Sequence, residues 1–135
     1  MTPVLYILMR TDMESMNPGK AMAQASHASN AFVSNAEPGY NVDEELFNAW
    51  QESTPQKFGT VLVLGVNEAQ MRTAVEVAES FGVDKFPCDI IHDPTYPLQD
   101  GDTTHFIPVD TCGYIFGDKD DLMLQSIIGN FELHY

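Results

Sequence analysis

Three side chains near the amino end of the chain, a cation, an amide and an imidazole, stand at helical spacing, and a glycine precedes the first of them. Lys20 and Gln24 are four residues apart and His27 lies seven after Lys20, so a helix would present all three on one face. Gly19 would stand in the first turn of that helix. The unpaired backbone N–H groups of a first turn carry a partial positive charge that suits an anion. The pattern therefore indicates a candidate anion site.

Arg10 and Asp12 precede this segment, at the end of an apolar run. In open α/β sheets the carboxyl ends of strands are where ligand crevices form. The same residues also have ordinary interpretations, since Lys20 could be solvated, Gln24 a surface amide, and His27 a half-buried structural histidine. The Gly-Lys pair does not form a phosphate-binding P-loop, because the spaced upstream glycine is missing.

The elements that must position these residues alternate between strands and helices. Asn17-Pro18 is typical of a helix start, because Asn caps free N–H groups and Pro fits the first turn. The predicted strands are Val4–Met9, Gly59–Val66, Val83–Asp93 and Thr104–Phe116, and the predicted helices are 18–33, Asn41–Gln51, Glu68–Phe81 and Leu122–Leu133. The turn-forming stretch Pro94–Asp102 predicts a loop, and Pro108 indicates a bulge or an edge position. We expect a single α/β domain over residues 1–135, with a mixed four-stranded sheet and helices on both faces.

Composition favours a folded acidic protein. The chain has 135 residues, 44% of them hydrophobic, and a formal charge of −14 from 6 basic and 20 acidic residues. A chain this acidic repels phosphate backbones at long range, so nucleic acid would need a local basic site. Cys88 and Cys112 do not make a disulfide framework, and no run approaches the roughly 18 apolar residues of a membrane span. We expect a cytoplasmic protein without a membrane partner.

A set of residue types at fixed offsets resembles the opening signature of the type II peptidyl-tRNA hydrolase family. That signature is an apolar strand, Arg-x-Asp, a Met-containing loop, Gly-Lys, Ala-Gln and His-Ala. The corresponding residues here are Leu5–Met13, Met16, Gly19-Lys20, Ala23-Gln24 and His27-Ala28. The predicted element order also fits this family, although the resemblance is specific only in the first thirty residues.

The resemblance implies hydrolysis of the ester that joins a peptide to the ribose of tRNA. It implies that Lys20 holds phosphate or polarises the ester and that Gln24 orients substrate or water. It also implies that Asp93 orients a lysine or the attacking water, and that His27 supports the helix or the pocket. Arg10, Asp12, Gly19 and Thr95 are then candidate substrate-binding residues. Neither a metal nor an organic cofactor is implied, and a homodimer is compatible with this kind of fold.

Two departures from the family pattern leave two hypotheses open. Pro97 stands where the family has a Thr four positions after the Asp, so Thr95, Thr103 or Thr104 would have to replace that hydroxyl. The acidic charge would also weaken binding of peptidyl-tRNA. The first hypothesis is a working hydrolase. The second is a catalytically weakened relative that binds a protein partner or a small anion.

A metal site is a further interpretation of the acids and histidines around the 94–102 stretch. His92, Asp100, Asp102 and His105 include ligand types. Such residues in a glycine-containing turn are more often solvated or capping, so we expect no metal there.

Overall fold

The structure is a computed structural model that describes all residues, 1–135. Its elements in chain order are β1 Pro3–Arg10, α1 Pro18–Asn35, α2 Glu44–Glu52, β2 Val61–Val66, α3 Glu68–Glu79, β3 Cys88–Asp100, β4 Thr103–Asp118, α4 Leu122–Ile128 and β5 Glu132–Leu133. The strands form one mixed sheet in the order β3-β4-β1-β2-β5. β1 pairs parallel with β2, and the other neighbours pair antiparallel. The predicted α/β class is confirmed.

The central strand β1 is buried on both faces, as its continuous apolar run predicts. Val4, Tyr6 and Leu8 pack with α3 and α4 on one side, in a core that includes Met71, Ala74, Leu124 and Ile128. Leu5, Ile7 and Met9 pack with α1 and α2 on the other, in a core that includes Ala28, Phe32, Phe47 and Trp50. Helices therefore cover both faces, as predicted. None of the helices is long and apolar enough to cross a membrane.

The prediction of four strands was wrong by one short strand at the sheet edge. The last helix was expected to continue to Leu133, but it ends at Ile128 and Gly129 forms its C-cap. Gly and Asn are poor helix formers, and Gly129-Asn130 together stop the helix. The chain then turns back so that Glu132–Leu133 pairs with β2 as β5.

The stretch Pro94–Asp102 was predicted as a loop, and this was also wrong. β3 and β4 pair along nearly their whole length and are joined by a tight turn at Gly101-Asp102. Prolines and turn formers are tolerated because only β4 lies beside β3, so one edge of β3 needs no ladder partner. β1 pairs with β4 no further than Cys112. Residues 92–100 of β3 and 103–111 of β4 therefore extend past the end of β1 as a two-stranded arm.

Candidate active site

The N-terminal end of α1 is fixed by its cap. The Asn17 side chain accepts a hydrogen bond from the Lys20 backbone N–H at 2.9 Å, and Pro18 occupies the first turn. Gly19 is exposed in this turn, where an added Cβ would meet only the Asn17 side chain, at 3.5 Å. The cap sets the rotation of the helix, so that Lys20 and Gln24 both reach β3.

A buried chain of hydrogen bonds links α1 to both strands of the hairpin. Gln24 Nε2 donates to Asp93 Oδ2 at 2.7 Å, and Thr111 Oγ1 donates to Gln24 Oε1 at 2.7 Å. Gln24 is 3% exposed and Thr111 is 0% exposed. The carboxylate fixes which end of the amide faces it, because only the NH₂ end can donate to Asp93, and the Thr111 hydroxyl then donates to the amide oxygen.

Two β-bulges aim these side chains at α1. Ile91 lies opposite Cys112 and His92 opposite Asp110, so Thr111 is an extra residue in β4. The second irregularity lies between Asp93 and Tyr96, which face Val109 and Ile107, and leaves an extra residue in β3. An extra residue reverses the facing of the side chains that follow it. Asp93 and Tyr96 can therefore both face α1 although they are three residues apart. Pro108 lies opposite this second bulge, in agreement with the sequence prediction.

Asp93 is held as a carboxylate at the edge of a shallow depression. Burial by itself raises the pKa of Asp93, but the hydrogen bonds from Gln24 and Thr95, together with nearby His27, outweigh it and hold the pKa below its usual value. Thr95 donates to Asp93 Oδ1 from its backbone N–H at 2.9 Å and from Oγ1 at 3.4 Å. The depression has a volume of about 420 Å³, and His27, Asp93 and Thr95 contribute to its lining.

Lys20 contacts the same strand four residues beyond Asp93. Its Nζ donates to the Pro97 carbonyl oxygen at 2.7 Å and lies 5.0 Å from the centre of the Tyr96 ring. Tyr96 is 0% exposed, and its hydroxyl lies 3.0 Å from Ser15 Oγ in the segment before α1. The base of the arm thus holds the ammonium group in place through a carbonyl and an aromatic face.

Arg10 and Asp12 belong to a different cluster, on the α3 side of the sheet. Arg10 Nε pairs with Asp12 at 2.9 Å, and another of its nitrogens pairs with Glu68 at 3.1 Å. Hydrogen bonding to Arg10 is the main reason that the pKa of Asp12 is lowered. Arg72 and His92 continue the cluster through Asp110, at 2.7 and 2.8 Å. The Arg10 side chain is only 13% exposed, so its charge is committed to internal partners.

The sequence pointed to Lys20, Gln24, His27, Asp93 and Thr95, and all five lie where α1 faces β3, a region that we call the α1–β3 cleft. His27, Asp93 and Thr95 line the depression, Gln24 bonds to Asp93, and Lys20 reaches the same strand at Pro97. The sequence did not point to Thr111. Of the hydroxyls considered as replacements at Pro97, Thr95 lies beside Asp93, whereas Thr103 and Thr104 are at the tip of the arm. The one available signal for Thr111 was that a hydroxyl residue lies directly before the mainly apolar end of the predicted strand Thr104–Phe116. No three histidine, cysteine or acidic side chains come together as a metal site would require.

The profile of the family described as peptidyl-tRNA hydrolase PTH2 matches residues 3–133. The chain belongs to this family. The match covers both the α1 segment and the hairpin, so the peptidyl-tRNA hydrolase resemblance extends from the first thirty residues to almost the whole chain. No curated protein matches the chain.

Proposed function

We propose that this chain hydrolyses the ester bond of peptidyl-tRNA in the cleft between α1 and β3. The observation that carries the proposal is the Thr111–Gln24–Asp93 hydrogen-bond chain, which orients a carboxylate on the strand whose Pro97 carbonyl holds the Lys20 ammonium. Burying an amide and a hydroxyl in fixed directions is costly unless every polar atom is satisfied. Here the two side chains satisfy each other and direct the Asp93 carboxylate towards the cleft.

The chemistry assigned to each group follows from its surroundings. Asp93 has a lowered pKa and is therefore a weak base, so its role is to accept a hydrogen bond from the attacking water and orient it. The water oxygen attacks the ester carbonyl carbon, and the bond to the ribose oxygen breaks. The water's proton passes to that oxygen, which gives a free peptide carboxyl group and tRNA with a free hydroxyl. The Lys20 ammonium stabilises the negative charge that develops during this step.

A turnover assay with N-acylated aminoacyl-tRNA tests this proposal. We expect Lys20→Ala and Asp93→Asn each to lower kcat/KM by about 10²-fold or more, a loss typical of a single catalytic contact. Lys119→Ala removes the same charge from an exposed position outside the cleft and should leave turnover unchanged. If the unmodified chain shows no turnover at low salt, or Lys20→Ala retains full activity, the hydrolase proposal is wrong. The second hypothesis, a binding module, would then replace it.

A further inference from the structure

The acidic residues of this chain are unevenly distributed. No Asp or Glu occurs between Glu14 and Glu37, a range that contains all of α1, and none occurs between Glu52 and Glu68. The remaining segments carry all 20 acidic residues. Since the overall charge is −14, these two segments are where a polyanion meets the least repulsion.

The two acid-free segments meet on the outer side of α1. A depression of about 530 Å³ separates the helix from the loop that follows α2. Ser26, Ser29 and Asn30 of α1 line one side, and Lys57 and Phe58 line the other. We refer to these five residues as the α1–Lys57 surface. It offers hydroxyl and amide donors, one cation and one aromatic ring.

A short turn holds Lys57 and Phe58 in position. The backbone N–H of Lys57 donates to the Thr54 carbonyl at 3.0 Å, and that of Phe58 donates to Thr54 Oγ1 at 3.2 Å. Lys57 has φ of 61°, a left-handed conformation that is unfavourable for a residue with a side chain. The next residue, Gly59, lies directly against the Trp50 ring. Packing therefore maintains a strained turn that presents a cation and an aromatic ring to α1.

The charge of Lys57 is free for a ligand. Arg10, Arg72 and Lys85 all form salt bridges with acidic side chains, whereas Lys57 forms none. Phe58 is 61% exposed. An exposed aromatic ring beside an unpaired cation is the arrangement with which proteins bind the backbone and unstacked bases of single-stranded nucleic acid.

We propose that the α1–Lys57 surface binds the phosphate backbone of the RNA part of the substrate. The proposal rests on the proposed hydrolase function and adds the path by which the RNA reaches the cleft. Ser26 and Ser29 lie six and nine residues after Lys20, which is roughly 9 and 14 Å along the helix and about a third and a half of a turn around it. A strand of several nucleotides that passes around α1 spans this distance. Lys57 pairs with a phosphate and Phe58 stacks on a base, while the ester lies beside Lys20 and Asp93.

The test is the salt dependence of binding to deacylated tRNA, measured between 50 and 200 mM salt, with turnover of N-acylated aminoacyl-tRNA recorded in parallel. A lost phosphate contact lowers the slope of log Kd against log salt by about 0.7 to 0.9. We therefore expect Lys57→Gln to have a shallower slope than the unmodified chain, by about that amount. Lys57→Arg should retain the slope. Asn30→Asp, which adds an acidic side chain to the surface, should raise Kd and KM but leave kcat unchanged.

Two variants provide matched controls. Lys119→Gln removes an exposed lysine elsewhere, and Asn130→Asp adds the same charge at an exposed position after α4. If Lys57→Gln and Asn30→Asp bind tRNA like these controls while turnover persists, the RNA-binding surface is wrong and the hydrolase proposal stands. If the slope depends on Lys57 but no turnover occurs, the surface stands and the hydrolase proposal fails. Absence of tRNA binding at 50 mM salt would overturn the surface as well.

Discussion

Thr111→Val tests whether the buried hydrogen-bond chain serves catalysis or only stability. The substitution removes the hydroxyl that donates to Gln24 Oε1 at 2.7 Å and leaves a fully buried acceptor without its partner. Leaving such a group unsatisfied costs about 1–3 kcal/mol of unfolding free energy. For a chain of this size the cost corresponds to a fall in Tm on the order of 3–10 °C.

The effect on turnover follows from the orientation of Gln24. Without the Thr111 hydroxyl, the Gln24 amide oxygen loses the contact that holds the side chain on the β4 side, so Gln24 positions the Asp93 carboxylate less firmly and the productive orientation is less populated. If the same 1–3 kcal/mol is lost from the transition state, kcat falls by about 5- to 150-fold with little change in KM. Thr111→Ser retains the hydroxyl and should retain most of kcat.

The assay is single-turnover hydrolysis of N-acylated aminoacyl-tRNA, together with thermal unfolding of each variant. Ser53→Ala is the control, because it removes a hydroxyl that donates to the Trp50 carbonyl at 2.7 Å, away from the cleft. We expect Ser53→Ala to lower Tm without changing kcat. If Thr111→Val lowers Tm but keeps the full kcat, the hydrogen-bond chain has only a structural role, and the orientation of Gln24 does not contribute to catalysis.

Three further predictions concern acid stability, packing and thiol reactivity. The folded-state pKa of Asp93 is lowered, so its stabilising effect is present above the unfolded pKa of about 3.9 and is lost as pH falls through the folded value. Acid unfolding of Asp93→Asn, followed by circular dichroism below pH 4, should therefore be less steep than that of the unmodified chain. Gly59→Ala should lower the urea midpoint strongly, because φ is +70° and the new Cβ would lie 2.2 Å from the Trp50 ring; an unchanged midpoint would contradict this packing. Burial raises the pKa of the Cys112 thiol to about 12, so alkylation at pH 8 should be slow in the folded protein and fast in urea.

Local signals determined the amino-terminal half of the site. The continuous apolar run predicted the buried central strand, and Asn17-Pro18 predicted the start of α1. These interactions occur within a few residues of each other, as in the bond from the Lys20 N–H to Asn17. Residue spacing on a helix then placed Lys20, Gln24 and His27 on neighbouring parts of one surface.

Two features of the hairpin were not predictable from local signals. Pro94, Pro97 and Gly101 each favour a turn, so the segment resembled a loop. In the structure a long antiparallel pairing with β4 overrides those preferences. The Pro97 position lacks the expected hydroxyl, but its backbone carbonyl contacts Lys20, and backbone groups leave no trace in residue type.

The sequence by itself determined the helix with its cap, the buried strand, and the candidate residues that follow them. Only the tertiary structure decided which partners those residues meet. Thr111 lies 87 residues from Gln24 in the chain, and Asp93 lies 69 residues from it. Their approach depends on the register of two strands and on bulges of one residue each, and a shift of one residue would turn either side chain to the other face of the sheet. In the observed register the amide, the carboxylate and the hydroxyl are all satisfied when α1 packs against the hairpin, and this favours that register.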